Sequence, residues 1–192
     1  MIKTRFIFLL LVVVVQSNSW AQNKFEKESR ITRDAVHPQA LQFIDSLQLT
    51  SRVRWYLEEG LTEKTIEAKF KKNKLRYSVE FDTLGRIQDV EVDVSWNDLA
   101  LDLRSIIESS LEKNCSRHRI IKVQRQFSGK RNLLFLLINN AQISEELEVK
   151  YEVIVRCRQE NSVDLYEYLF SQTGFVLSVS RIIFKNSSHL EY

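Results

Sequence analysis

Histidine and cysteine are the residue types in this sequence best suited to catalysis or metal binding. The three histidines, His37, His118 and His189, lie far apart in the chain. Cys115 and His118 have a C-x-x-H spacing, but a structural zinc site takes four ligands and no second pair follows. As a nucleophile pair, the same two residues have no neighbouring group to orient them. We therefore expect no catalytic residue, no metal site and no cofactor, and we expect the protein not to be an enzyme.

The two cysteines of the chain, Cys115 and Cys157, allow two interpretations. Cys115 precedes one predicted strand and Cys157 ends the next, so antiparallel pairing would bring them within bridging distance. An oxidising compartment would permit that disulfide. Alternatively, both are separate thiols, because Cys157 is in phase with the apolar Val153 and Val155. The sequence leaves both interpretations open.

Charged residues are concentrated in one basic run and in several acid pairs. The run from Lys69 to Arg76 could bind a polyanion, but it lies where two predicted strands are joined, which favours a solvated turn. The pair Glu58-Glu59, and the pair Glu91 and Asp93, could be catalytic or calcium-binding carboxylates. They lie on the polar side of alternating strands, which is typical of solvent-facing positions. We expect no nucleic-acid partner.

The N-terminal residues have the pattern of a secretory signal peptide. Lys3 and Arg5 precede an apolar run from Phe6 to Val15, and Ser19-Trp20-Ala21 resembles a cleavage site. The run is shorter than the roughly 20 residues that span a bilayer, so we expect no stable membrane anchor. Cleavage after Ala21 would lower the formal net charge from +3 to +1 by removing two basic residues. The sequence predicts a periplasmic or secreted protein.

Two similar stretches, 76–94 and 165–183, determine the predicted architecture. In each, apolar and polar residues alternate on both sides of a turn, which is typical of a β-hairpin with one buried face. The turns contain Gly85 and Gly174, which can adopt positive φ at little cost. When the stretches are aligned without a gap, these glycines coincide, as do several aromatic and valine positions. The sequence therefore predicts a repeated unit.

The predicted fold class is α+β, with two tandem units that each pack a helix on a four-stranded antiparallel sheet. The 192 residues, 44% hydrophobic and 28% charged, suit a soluble globular protein of this size. The predicted divisions are a signal peptide (1–21), a flexible arm (22–33), a first unit (34–95), a second unit (96–184) with an insertion (128–143), and a C-terminal tail (185–192).

Helical spacing of apolar residues places one helix at the start of each unit. The first helix is expected to begin near Asp34 or His37 and to have Pro38 in its first turn. The second is expected to have Asn97 as its N-cap. The apolar run from Lys130 to Asn139 predicts an extra helix in the second unit, with a fifth strand as the alternative.

This arrangement resembles the bacterial PepSY-like family, which is related to β-lactamase-inhibitor-protein domains. The matching positions in the first unit are Pro38, Ala40, Phe43 and Ile44, then Val53–Tyr56, Tyr77–Asp82, Gly85 and Val90–Val92. Those in the second are Tyr151–Val153, Tyr166, Glu167, Phe170 and Gly174. The 128–143 insertion departs from the family pattern. The resemblance implies an exported, non-catalytic module that binds or inhibits a protein, and it transfers no catalytic residue to this chain.

The favoured hypothesis is therefore a binding module for an envelope or secreted protein, with a small molecule or envelope polymer as the alternative ligand. An apolar cluster on a sheet face that should meet water would need a partner. The candidate surface consists of Ile154, Leu165, Leu169, Ile182 and Tyr56. The partner could be another protein or a second copy of the chain. Alternatively, the inserted segment 133–138 could fold over this surface within the chain.

Overall fold

The computed structural model describes residues 22–60, 63–159 and 162–184. The predicted signal peptide, 1–21, and the predicted tail, 185–192, lie outside these residues. The strands are β1 (Gln22–Ile31), β2 (Arg54–Glu59), β3 (Lys64–Lys72), β4 (Leu75–Asp82), β5 (Ile87–Asp93), β6 (His118–Ser128), β7 (Glu148–Arg158), β8 (Val163–Ser171) and β9 (Val176–Phe184). The α-helices are α1 (Pro38–Ser46), α2 (Leu101–Asn114) and α3 (Arg131–Ile138).

All nine strands belong to one continuous sheet. Each strand pairs antiparallel with the next along the chain, and β1 also pairs with β9 in parallel, which closes the sheet on itself. The predicted fold class, with two separate four-stranded sheets, is wrong. Strands β5 and β6 pair across the predicted unit boundary, from Asp89 opposite Ser128 to Asp93 opposite Gln124. Alternation along a strand indicates which face each side chain takes, but it does not identify the neighbouring strand.

The segment 22–33, predicted to be a flexible arm, contains β1 instead. Residues 27–31 pair with β2, and the ion pair between Lys27 Nζ and Glu59 Oε2 spans 3.0 Å. Ile31 packs against the core. Charged side chains dominate this strand, so it has no apolar alternation that would reveal it in the sequence.

The helices pack on one side of the sheet over two apolar clusters. The first cluster joins α1 and α3 to strands β2–β5 and includes Phe43, Trp55 and Phe81. The second joins α2 to strands β6–β8 and includes Ile107 and Phe170. Within the described residues, every helix is too short or too polar to cross a membrane.

The helix boundaries partly match the predictions. Pro38 begins α1, where the His37 ring accepts a hydrogen bond from the Gln39 backbone N–H at 3.2 Å. Asn97 does not cap α2, because a 3-10 turn, Trp96–Asp98, precedes that helix and Ser95 caps the turn. The insertion forms the helix α3, and not a fifth strand.

Both predicted hairpins are present, and both turns lie against the start of a helix. Gly85 and Gly174 have φ of +76° and +87°, values that side-chain-bearing residues rarely adopt. A Cβ on Gly85 would lie 2.9 Å from the Ala40 backbone nitrogen, and one on Gly174 would lie 2.9 Å from Ile106 Cγ2. Glycine at these turns therefore allows each hairpin to contact its helix closely.

The structure joins Cys115 and Cys157 in a disulfide with a Cα–Cα distance of 5.9 Å. Cys115 ends α2, while Cys157 lies on β7 opposite His118. The bond therefore ties the end of α2 to the sheet, and both cysteines are buried.

We expect removal of this disulfide to destabilise the protein. The bond restricts the unfolded chain across a sequence separation of 42, and such cross-links typically contribute about 2–4 kcal/mol. The double substitution Cys115→Ala with Cys157→Ala, followed by urea unfolding, measures this loss. The parent treated with reductant should match the variant, whereas equal stability of the parent with and without reductant would contradict the prediction.

Candidate functional site

The strand residues that alternate with core residues point away from the helices, to a surface that we call the helix-free face. Acidic residues face one another across adjacent strands there. Glu67 on β3 lies opposite Glu80 on β4, and Glu80 lies opposite Asp89 on β5. Glu28 lies opposite Glu58. Like charges in directly opposed positions are unfavourable, so this arrangement needs compensating charges or protons.

Lys69 supplies one compensating charge. Its Nζ lies 2.8 Å from Glu67 Oε2 and 3.2 Å from Glu28 Oε2. Burial is the strongest influence on this ammonium group and lowers its pKa, but Glu67 and Glu28 together outweigh burial and leave the pKa raised. The same ammonium lies 4.8 Å from the centre of the Tyr56 ring, within the range of a cation–π contact.

Burial and neighbouring carboxylates raise the pKa values of Glu80 and Glu91 instead. Burial, followed by repulsion from Asp89, raises the pKa of Glu80 well above its ordinary value. Burial, followed by repulsion from Glu80 and Asp89, does the same to the pKa of Glu91, which is 5% exposed. Gln126 donates a hydrogen bond to Glu91 at 3.5 Å. A carboxyl with a raised pKa binds its proton more readily, which acts against the build-up of negative charge at the centre of this face.

Two groups of three carboxylates have the spacing of cation ligands. They are Glu28, Glu58 and Glu67, and Glu80, Asp89 and Glu91, with one oxygen from each residue within 4.8 Å of the others in its group. Such oxygens suit a hard cation such as Ca²⁺. In the first group, however, the ammonium of Lys69 already provides the positive charge for Glu28 and Glu67.

The predicted interaction surface is only partly brought together. Leu165 and Ile182 are direct cross-strand neighbours. Ile154 lies opposite Glu167, and is therefore diagonal to Leu165 and Leu169. Tyr56 lies on β2, away from this group. The segment 133–138 does not cover them, because α3 packs in the first apolar cluster on the other side of the sheet. The binding role of this surface stays a prediction.

A cleft of about 790 Å³ opens between the end of α1 and strands β1 and β2, and we call it the arginine groove. Its wall includes the apolar side chains of Ile44 and Trp55. Arg30, Arg52 and Arg54 also line it, and they make no ion pair or side-chain hydrogen bond within the described part of the chain. These exposed guanidinium groups can therefore donate hydrogen bonds to an anionic ligand.

Two smaller clefts continue from the groove and extend its basic lining. One, of about 400 Å³, shares Arg52 and Arg54 with the groove and adds Lys71 and Arg76. The next, of about 370 Å³, is lined by Arg76 and Lys122 as well. The basic run 69–76 thus contributes to the wall of a cleft, although its centre forms the predicted turn between β3 and β4.

Sequence reasoning did not identify the groove because its arginines come from separate segments. Arg30 lies in the segment predicted as a flexible arm, and Arg52 lies in the connection before β2. Arg54 lies on β2 itself. The one available signal was the pair of arginines, Arg52 and Arg54, without an acid beside them in the sequence.

Cys115 and His118, the pair with C-x-x-H spacing, both make contacts that hold the fold together. The sulfur of Cys115 is in the disulfide. The two ring nitrogens of His118 lie 2.9 Å from the Cys115 carbonyl oxygen and 3.0 Å from Glu108 Oε1. The histidine therefore links the end of α2 to the start of β6.

Known proteins resemble this chain in structure and not in sequence. No family model and no curated protein matches it, so the PepSY-like resemblance stays a prediction. A DUF2874 family protein of Bacteroides ovatus is 15% identical, with a TM-score of 0.51, and the alignment covers 76% of this chain and 87% of that one. That similarity shows a shared fold.

Two further Bacteroides structures are similar at lower scores. A protein of Bacteroides eggerthii, provisionally described as periplasmic, is 13% identical with a TM-score of 0.49, covering 76% of this chain and 88% of its own. A protein of Bacteroides fragilis described as BLIP-like is 14% identical with a TM-score of 0.48, covering 80% and 92% respectively.

Replacing Glu80 and Glu91 by glutamine should stabilise the protein at neutral pH. Their raised folded pKa values destabilise the fold increasingly as the pH rises from about 4.5, the ordinary glutamate value, through the folded values. The double variant should gain roughly 1 kcal/mol at pH 7, a typical effect for one site, and nothing at pH 4. Urea unfolding at both pH values tests this.

Glu112→Gln, on the exposed side of α2, is the matched control and should leave stability unchanged at either pH. A double variant that is less stable than the parent at pH 7 would show that the native fold requires these two carboxylates to be charged.

Proposed function

We propose that this protein is an exported, non-catalytic binding module whose partner is a protein with acidic side chains on its contacting surface. The observation that carries the proposal is the arginine groove, where Arg30, Arg52 and Arg54 lack acidic partners among the described residues. The predicted signal peptide supports export, and the resemblance to inhibitor-related domains supports a protein partner.

The chemistry of the groove favours carboxylate ligands. A guanidinium group presents a planar set of donors that matches a carboxylate in a bidentate geometry. The neighbouring wall is apolar, with Ile44 buried and Leu49 and Val53 half-buried. An acidic side chain flanked by apolar residues would contact both the arginines and the apolar wall of the groove. Protein surfaces commonly carry this combination.

The same groove supports one alternative, an anionic small molecule or envelope polymer. Its volume of about 790 Å³ lies within the range of small-molecule sites, roughly 300–1,000 Å³. The continuation of basic lining through Lys71 and Lys122 would suit an extended polyanion, while Arg76 in the same clefts is paired with Asp93 at 2.8 Å. The two alternatives share the groove and differ in the bound molecule.

Charge reversal at Arg52 and Arg54 tests the proposal. The parent and the variant Arg52→Glu with Arg54→Glu serve as paired baits for the envelope fraction of the producing organism, with quantitative mass spectrometry of retained proteins. The partner should be enriched on the parent and lost on the variant. Loss of two charge-assisted contacts, each worth about 1.5–3 kcal/mol, corresponds to more than a tenfold weaker affinity for the purified pair.

The control is Arg158→Glu, which reverses an exposed charge on β7 outside the clefts. This variant should retain the partner as the parent does. Identical protein sets on the parent and the double variant would contradict a protein partner at the groove. Retention of only an anionic molecule or polymer, released by the double variant, would establish the alternative.

A further inference from the structure

Two helix starts in this chain have the same local arrangement. The 3-10 turn Arg33–Ala35 precedes α1 with the spacing at which Trp96–Asp98 precedes α2. Counting from these turns, Ala40 corresponds to Leu103 and Ile44 to Ile107, and all four are buried. A glycine turn contacts each helix, Gly85 at Ala40 and Gly174 at Leu103. Both helix starts therefore contact the same continuous sheet in the same way.

The apolar side of α1 is covered by α3. Phe43 is only 1% exposed because the Phe135 ring lies 6.3 Å from it, centre to centre, and the Arg131 guanidinium lies 5.0 Å from its ring centre. Leu134 and Ile138 of the same helix are fully buried in the first cluster. A short apolar helix thus completes this part of the core.

The corresponding side of α2 has no such cover among the described residues. Ile106 corresponds to Phe43 by the same count and is 43% exposed. Gly174 of the second hairpin turn lies against Ile106, and it is followed by Phe175 in the turn and by Val176 and Leu177 at the start of β9, which are 71%, 37% and 50% exposed. We call these four residues the uncovered face. Adjacent exposed apolar side chains of this kind typically mark a binding surface.

We propose that the uncovered face binds a short apolar helix of a partner protein, as α3 packs on α1 within the chain. The proposal rests on the proposed function only in taking a protein as the partner, and it uses a different surface from the arginine groove. An apolar helix in an apolar groove is a common mode of recognition, with anchors one helical turn apart. We therefore expect the bound segment to be a short helix with apolar side chains on one side, like α3.

Charge complementarity specifies the N-terminal end of that helix. On α1, Arg131 donates a hydrogen bond to the Gln39 carbonyl oxygen at 3.5 Å while its guanidinium stacks on Phe43. The residue of α2 that corresponds to Gln39 is the exposed Asp102. A carboxylate at this position would attract a basic residue more strongly than a carbonyl does. We therefore infer a lysine or arginine in the first turn of the bound helix.

A fluorescein-labelled peptide with the sequence of residues 130–140, which contains α3, is the probe. Fluorescence anisotropy should show saturable binding to the purified protein, and Ile106→Asp should weaken it at least tenfold because a charge would be buried without a partner. Phe175→Ser, which shortens a side chain that is 71% exposed and so should leave the fold intact, should weaken it as well. Asp102→Lys should weaken binding several-fold at low salt and less at high salt.

The matched control is Leu84→Asp, at an exposed apolar position in the first hairpin turn, which should bind the peptide as the parent does. Arg52→Glu with Arg54→Glu should also bind normally, so a failure of the groove and a failure of this face can be told apart. Absence of saturable binding, or equal affinity for the parent and Phe175→Ser, would overturn the proposal. A dimer in sedimentation that Ile106→Asp disrupts would instead assign the face to a second copy of the chain.

Discussion

The pairing of β1 with both β2 and β9 is the interaction on which the other features depend. Each described strand therefore has a partner on both sides over part of its length, with β1 meeting β9 through residues 22–26 and β2 through residues 27–31. Pairing of strand edges limits aggregation. The same pairing of β1 also turns the helix-free face inward. Glu67, Glu91 and Gln124 are buried on that face although the helices lie on the other side of the sheet. Closure therefore brings their charges into an environment that water screens poorly.

The two faces of the sheet are stabilised by different forces. Under the helices, apolar burial dominates, as with Phe81 and Phe170. On the helix-free face, Lys69 offsets part of the repulsion between carboxylates, and burial with the remaining repulsion raises the pKa values of Glu80 and Glu91. Arrangements of this kind reduce stability and persist where they serve specificity or function, which makes the face informative beyond its contribution to folding.

The local features of this fold could be predicted from the sequence, and the long-range ones could not. Alternation and turn glycines predicted both hairpins, helical spacing predicted α1 and α2, and the apolar run 130–139 predicted α3 with a strand as the alternative. The β5–β6 pairing was missed because both strands alternate regularly and either edge could have been solvated. The arginine groove was missed for a related reason, since Arg30 and Arg52 become neighbours only when β1 joins the sheet. Glu91 was predicted to face solvent and is only 5% exposed, because closure of the sheet buries the polar side of these strands.

The disulfide has a consequence for a chain that has been cut by a protease. Cys115 and Cys157 enclose the whole stretch that contains β6, α3 and the connection from Asn139 to Leu147. That connection is largely exposed and is therefore a natural target for proteases. A single cut there would leave the two fragments covalently joined and paired in the same sheet. The nicked protein would therefore run as one species on a non-reducing denaturing gel and as two fragments after reduction.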